Sequence, residues 1–580
     1  MTPEFSQNSA NPRMAGVLVP VFAIRREDDL GIGDVAGVRE MVDWAEQIGM
    51  RFLQFLPITE LAGDNSPYNA ISSMAIEPLT LDTTPDAIKD LKPSSYEKAL
   101  SQVRQKDNIG GESVCYPEVR KLKTDLLRRA FKRFRKRHLN QGSKREKKFR
   151  AFREAEKSWL SDYCVFRLLM EMDGNSENWE AWPESYNTLE KAREFLSGLP
   201  QEEVETELAW FSYVQWIAFE QWSKVAAYAA EKGVQLMGDV PYGISRHSAD
   251  VFANPELFDL DWCAGAPPEP TFRDDQFTME WGQNWGFPLY RWDRMEADDF
   301  AWWKRRVRRL CDVFGAFRID HALGFYRIYS FPFTPDRNQE FLELGYEKAR
   351  EITGGHLPGF KPGPDNSDEE KAVNRACGEK YLGAIASAAA GAGIVAEDLG
   401  VVPKYMPESM AVLGMAGIKV PMWNHEDDGE FVRGEHYPEL SMATYATHDH
   451  DPIKTQWDHD HRIIAENDPP DRVGDAKYYL HRWARWAGYD DALRDLPPMF
   501  DDTVREALLK ALFESNSCYA SVMITDLLGL EDRFNTPGKL SDENWSQRLS
   551  MSVRELREDS KWSGIGERVR QLLAESGRLA

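Results

Sequence analysis

The chain has 580 residues, 42% of them hydrophobic and 29% charged, with a formal net charge of −24 at pH 7. That composition supports a large folded core and excludes a disordered chain, while the acidic balance argues against nucleic acid or an anionic membrane surface as the main partner. No run approaches the roughly 18 apolar residues of a membrane span, and residues 1–13 hold no apolar signal-peptide core.

In chain order, short apolar or β-branched runs that end in polar groups alternate with helical periodicity. They predict strands at 16–20 (GVLVP), 51–57 (RFLQFLP), 234–241 (VQLMGDVP) and 314–320 (FGAFRID). Four more follow at 393–398 (GIVAED), 417–421 (GIKVP), 442–449 (MATYATHD) and 519–526 (YASVMITD). Eight such units predict an α/β fold, an interrupted (β/α)8 TIM barrel whose active site gathers at the C-terminal strand ends. The second and third strands lie too far apart for a loop, so a mostly helical insertion is expected at 60–200. A stretch rich in Pro, Trp and Asp after the third strand predicts a loop-rich insertion at 241–298 that walls part of a cleft. Residues 1–14 read as a tail, 15–575 as the barrel with its insertions, and 365–371 (DNSDEEK) as an exposed linker.

The run 120–153 carries 16 Lys/Arg against 2 Asp/Glu, and Leu122, Leu126, Leu127, Ala130, Phe131 and Phe134 recur in it at helical spacing. This predicts an amphipathic helix with a solvated basic face rather than a polyanion site. Nineteen Trp and 12% aromatic content suit stacking on flat sugar faces as well as a large core. Six scattered cysteines with no Cys-x-x-Cys pair predict reduced thiols and a cytoplasmic protein, without a disulfide or zinc framework.

Several predicted strands end in acids: Asp239, Asp320, Glu397 with Asp398, Asp449 and Asp526. In a barrel these ends share one mouth, so chemistry with two or three carboxylates is the natural expectation. Asp398 and Asp526 read as caps of the helices that follow. Arg318 lies two residues before Asp320, on the same strand face, where its charge would keep Asp320 ionised as a nucleophile requires; a structural salt bridge fits the pattern equally. The THDHD run at 447–451 has ligand-type residues, but no second His/Cys cluster at a plausible spacing completes a metal site, so no metal is expected.

Motifs spread along the chain carry a family resemblance. They are GDNSPY (63–68), GDVP (238–241), AGAPP (264–268), GQNWGFPLYRW (282–292), FRIDHALGF (317–325), AEDLGVV (396–402), THDHD (447–451), DLLGL (526–530) and NTPG (535–538). In this order the chain resembles glycoside hydrolase family 77, the amylomaltases or 4-α-glucanotransferases. The resemblance implies an interrupted (β/α)8 barrel, α-1,4-glucan substrates and no cofactor. It implies Asp320 as nucleophile, Glu397 as general acid/base and Asp449 as the acid that stabilises the transition state through sugar hydroxyls. Tyr68, Asp239, Arg318 and His448 correspond to the donor subsite, and Gln283 and Trp285 to the loop wall near the scissile bond. A retaining carbohydrase places its two carboxyls roughly 5–5.5 Å apart, one ionised and the other protonated, its pKa raised by burial.

The chain also departs from the common form. His450 stands where Asn is usual, Glu269 where Asp is common, and VPMWNHE (420–426) replaces a Phe-rich stretch ending in Asp, a role carried here to Glu426. An α-amylase-like hydrolase shares the Arg-x-Asp strand end and is the alternative. A non-catalytic glucan binder would be expected to lack one of the three acids or Arg318.

Overall fold

The computed structural model describes residues 13–105, 109–269, 275–466, 468–489, 497–537 and 541–579. Nearly all of the expected 1–14 tail, residues 270–274 of the proline-rich stretch and Gly538 of the NTPG motif lie outside the described residues.

Eight parallel strands close a barrel: β1 (Met14–Leu18), β2 (Phe52–Gln54), β3 (Gln235–Val240), β4 (Ala316–Ile319), β5 (Gly393–Ala396), β6 (Ala416–Lys419), β7 (Ser441–Ala443) and β8 (Tyr519–Met523). β8 pairs back onto β1, with Met14 opposite Tyr519 and Leu18 opposite Met523. Each expected strand supplies one stave, but several stop short. After β7, the Thr444 hydroxyl donates to the Ala446 carbonyl at 2.9 Å and turns the chain out of the sheet, leaving THDHD in a loop. After β8 the chain turns helical at Ile524–Leu528.

The two-residue alternation of each strand sorts its side chains. Phe52, Met237, Ala316, Val395, Ala416, Ile418 and Met442 fill the barrel interior as one apolar cluster. Gly16 makes room for it, since a Cβ there would lie 2.3 Å from the Phe52 ring. Two residues further along the same faces stand Gln54, Asp239, Arg318 and Glu397, so the plug of the barrel gives way to a polar floor. Outside, the helix Val35–Ile48 is capped by Asp34 and turns Val38, Met41, Val42 and Ala45 into the core.

Between β2 and β3 lie the helices Pro93–Arg104, Tyr116–Arg137, Lys144–Ala155, Lys157–Met172, Leu189–Ser197 and Gln201–Glu231. The basic run is two helices rather than one, because Ser143 starts a new helix as its N-cap. Its apolar stripe is buried as expected. Part of its charge is structural and not a solvated face: Lys123 is buried, donating to the Leu79 and Leu81 carbonyls at 2.6 and 2.8 Å, and Arg145 reaches Asp90 at 2.7 Å. Trp44, Trp222, Trp281, Trp303 and Trp457 are fully buried, so much of the aromatic content packs the core.

The 241–298 stretch is less loop-like than expected. Phe258–Ala266 and Gln283–Tyr290 join Ile328–Phe331 and Gly359–Lys361 in a four-stranded antiparallel sheet. The Asp, Gly and Pro in the first two segments weaken their strand signal, and a partner from beyond β4 supplies the pairing. DNSDEEK is no linker: Ser367 caps the helix Asp368–Ala388, and Asp365 pairs with Arg327 at 3.1 Å. All six cysteines are free, and among the described residues no helix is long and apolar enough to cross a membrane.

Candidate active site

The site is built on the register of three adjacent strands. Asp239 on β3 lies opposite Arg318 on β4, which lies opposite Val395 on β5. Backbone pairing continues past the strand ends: the Asp320 amide donates to the Val240 carbonyl at 3.0 Å and the Glu397 amide to the Ile319 carbonyl at 2.9 Å. The sheet itself therefore brings Asp239, Arg318, Asp320 and Glu397 to one mouth.

Arg318 is the hub. Its Nη1 donates to Asp239 Oδ2 at 2.6 Å, while its Nη2 donates to Asp320 Oδ1 at 2.9 Å and also to Glu397 Oε2. The Tyr68 hydroxyl donates to Asp239 Oδ2 at 2.7 Å, and its ring stacks on His448, centroids 5.0 Å apart and planes 11° from parallel. Asp449 is set by its neighbours: Asn535 Nδ2 donates to Oδ1 at 2.6 Å, His448 Nε2 lies 3.4 Å from the same oxygen, and Arg533 Nη2 donates to the Asp449 carbonyl at 2.6 Å. Exposure separates the roles. The side chains of Asp320, Glu397 and Asp449 keep 26%, 19% and 38% of their surface open, against 6% for Arg318 and 1% for Asp239. Three acids face the cleft, and the Arg318–Asp239 pair supports them from beneath.

Trp285 stands over the mouth, edge-on to the His321 ring at 4.8 Å, with its Nε1 donating to Gln283 Oε1 at 3.2 Å. Nine of the ten expected site residues thus join one connected constellation. Glu426 does not. It sits in an exposed turn closed by the His425–Phe431 bridge, where its carboxylate faces His436 at 3.5 Å. Asp398 and Asp526 do not cap the helices that follow them. Asp398 accepts from the Ile418 amide at 2.6 Å and from Lys419 at 3.1 Å, tying β5 to β6. Asp526 accepts from the Ile453 amide at 2.7 Å, at the start of an earlier helix, Ile453–Ala465.

Burial and neighbouring charges move Asp320 and Glu397 in opposite directions. Burial, with Glu397 and Asp239 nearby, pushes Asp320 well above the usual carboxylate range, more than Arg318 pulls it down. Burial also works against the Glu397 anion, yet Arg318 and the His321 amide at 3.1 Å hold it below the usual range. The two carboxyls titrate as a pair, with Arg318 divided among three acids. Asp449 stays below its ordinary range despite burial, through His448 and Asn535. Among the described residues no group of three or more His, Cys, Asp or Glu has the arrangement of a metal site; Asp451 is taken by Arg533 at 2.8 Å.

The model of glycoside hydrolase family 77, described as 4-alpha-glucanotransferase, matches residues 19–553. The chain belongs to this family of 4-alpha-glucanotransferases. A 4-alpha-glucanotransferase of Chlamydia caviae is 28% identical over 93% of this chain and 91% of its own length. Two solved structures share the fold: an amylomaltase from Streptococcus agalactiae in complex with acarbose (TM-score 0.72, 23% identity, covering 98% of this chain and 100% of that one), and the amylomaltase from Corynebacterium glutamicum (TM-score 0.74, 20% identity, 97% and 75%). Within this 4-alpha-glucanotransferase site, residue reasoning missed His321, Asn535 and Arg533. His321 holds a positive φ of 42°, rare for a non-glycine residue, with its amide on Glu397. Its place directly after Asp320 was the available signal, as the NTPG motif was for Asn535; that Asn535 and Arg533 reach Asp449 is a long-range contact.

Proposed function

We propose that the protein moves α-1,4-glucan segments between maltooligosaccharides by a retaining double displacement. Asp320 attacks the anomeric carbon, and Glu397 protonates the departing glycosidic oxygen. A hydroxyl of an acceptor sugar then gives its proton to Glu397 and displaces Asp320. Asp449, Tyr68 and His448 hold the hydroxyls of the ring under attack, and Asp239, buried beneath them, orients Tyr68 and Arg318. Substrates on this reading are maltose, maltooligosaccharides and chains derived from amylose or glycogen. Six free thiols suit a reducing cytoplasm.

The observation that carries the reading is Arg318 bonded at once to Asp239, Asp320 and Glu397 at the ends of neighbouring strands. On this reading Asp320, held by Arg318, attacks as the anion, and Glu397 carries the proton it delivers to the leaving oxygen. Incubation with maltotriose tests the activity. Glucose plus a ladder of longer oligomers is the expected result; reducing ends gained without a ladder would mean a hydrolase.

A further inference from the structure

A cavity of about 130 Å³ lies within the helical insertion, between the helices Tyr116–Arg137, Lys157–Met172 and Gln201–Glu231 and the chain at Glu60 and Glu77. None of its lining residues belongs to the constellation around Arg318. The exposed residues Thr124 and Asn175 mark its opening. Its lining sets three cations, Arg120, Lys123 and Arg167, against two buried carboxylates, Glu60 and Glu77.

The carboxylates are spent on partners within the fold. Glu77 accepts from the Leu61 amide at 2.8 Å and from the Leu79 amide at 3.0 Å. Glu60 accepts from the Tyr163 hydroxyl, and burial lifts its carboxyl above the usual range more than Arg167 lowers it, which weakens its negative charge. Lys123 is committed to the Leu79 and Leu81 carbonyls. The two guanidiniums have no such commitment. Arg120 Nη1 lies 3.5 Å from Glu77 Oε1 and Arg167 Nε lies 3.4 Å from Glu60 Oε1, both beyond the roughly 2.7–3.2 Å of a good N–H···O bond. Arg167 Nη1 donates to the Met170 sulfur, a weak acceptor, at 3.0 Å, and its Nε is buried with no hydrogen-bond partner among the described residues.

Two forked donors, a surplus of positive charge and a buried N–H without an acceptor together suit an oxyanion. Size narrows the choice. A cavity of roughly 150 Å³ takes a molecule as large as benzene, so this one holds about five or six non-hydrogen atoms. That is the size of inorganic phosphate or a three-carbon carboxylate, and too small for a glucose unit. Trp210, Phe211 and Val214 make another wall apolar, which strengthens a charge-assisted hydrogen bond formed beside it.

We propose that this cavity binds one compact oxyanion, a phosphate or a small carboxylate, between Arg120 and Arg167. The bound anion braces the helices Tyr116–Arg137 and Lys157–Met172 against each other and stabilises the folded chain, without taking part in glucan transfer.

Calorimetric titration of the whole protein with inorganic phosphate, L-lactate and glycerol tests this. Saturable one-to-one binding of phosphate or lactate is expected, with none of glycerol. Phosphate alone would identify a tetrahedral anion and lactate alone a planar carboxylate, and either supports the site. Arg167→Met and Arg120→Met should each weaken that binding at least about tenfold, the scale of one hydrogen bond between charged groups. Arg120 is half-buried, so Arg120→Met decides the matter even where Arg167→Met folds poorly. The thermal midpoint should rise with the anion in the parent protein and stay flat in the variants. Maltotriose disproportionation by Arg120→Met should match the parent; a loss there would overturn the separation from transfer. No saturable binding of either anion, equal affinity in Arg120→Met and the parent, or glycerol bound as tightly as lactate would overturn the proposal.

Discussion

Arg318 and Asp239 face each other in register across two parallel strands, and a guanidinium hydrogen bond of 2.6 Å joins them under the cleft. The pair is almost wholly buried, so neither charge is tolerable without the other. Arg318→Met should therefore cost about 3–5 kcal/mol of stability, the scale of a broken buried ion pair. Arg318→Lys keeps a charge but loses the fork that serves three acids, and should lose less stability and at least about a hundredfold in transfer rate. Urea denaturation alongside maltotriose disproportionation checks both. Near-normal transfer in Arg318→Lys would show that the three-way contact is dispensable.

Asn535 steers Asp449 by a single 2.6 Å hydrogen bond. Asn535→Asp places a like charge there, which should lift the pKa of Asp449 and move the acid limb of the kcat profile to higher pH. Asn535→Ala should lower kcat about tenfold with a smaller shift of that limb. A profile unmoved in both variants would leave Asp449 indifferent to its neighbour.

Asp526 gives stability a pH dependence of its own. Burial lifts its carboxyl to about 7, while in the unfolded chain it titrates in the ordinary range near 3.9. Between those values the folded chain keeps a proton that the unfolded chain has released. Stability is therefore highest on the acid side of this window and falls as pH rises through about 7, by an amount of order a few kcal/mol. Asp526→Asn retains an acceptor for the Ile453 amide and should abolish that fall. Urea midpoints at pH 5 and pH 8 decide it: an equal decline in both proteins would assign the effect elsewhere.

In the proposed double displacement, Trp285 bears on why a sugar would win over water at a glycosylated Asp320. Bulk water outnumbers any acceptor, so transfer depends on positioning the sugar and excluding solvent. Trp285→Ala should raise the ratio of hydrolysis to transfer, measured as reducing ends gained per oligomer exchanged. A flat ratio with lower total activity would make Trp285 a packing residue against His321.

The barrel was readable because each strand couples a short β-branched or apolar run to a polar end, a signal that lives within five to eight residues. The acids Asp239, Asp320 and Glu397 were readable for the same reason, since strand alternation aims them at one mouth. What stayed hidden depends on distant partners. The strand Phe258–Ala266 lies between Gln283–Tyr290 and Ile328–Phe331 and pairs with both, and nothing local predicts the second contact. The sequence shows Arg318 beside Asp320 but not the two further acids, Asp239 and Glu397, that divide its hydrogen bonds. Glu426 lies apart from the constellation, in an exposed turn within a stretch that departs from the family's common form.

The proposed double displacement requires a covalent glycosyl-enzyme on Asp320. In Glu397→Gln the base that activates the acceptor is gone, whereas an activated donor such as α-maltotriosyl fluoride needs no proton to leave, so the intermediate should accumulate. Mass spectrometry of the acid-quenched, digested variant should find one maltotriosyl unit on the peptide that contains Asp320. Turnover of the fluoride with no adduct, or an adduct on a different carboxylate, would contradict the account.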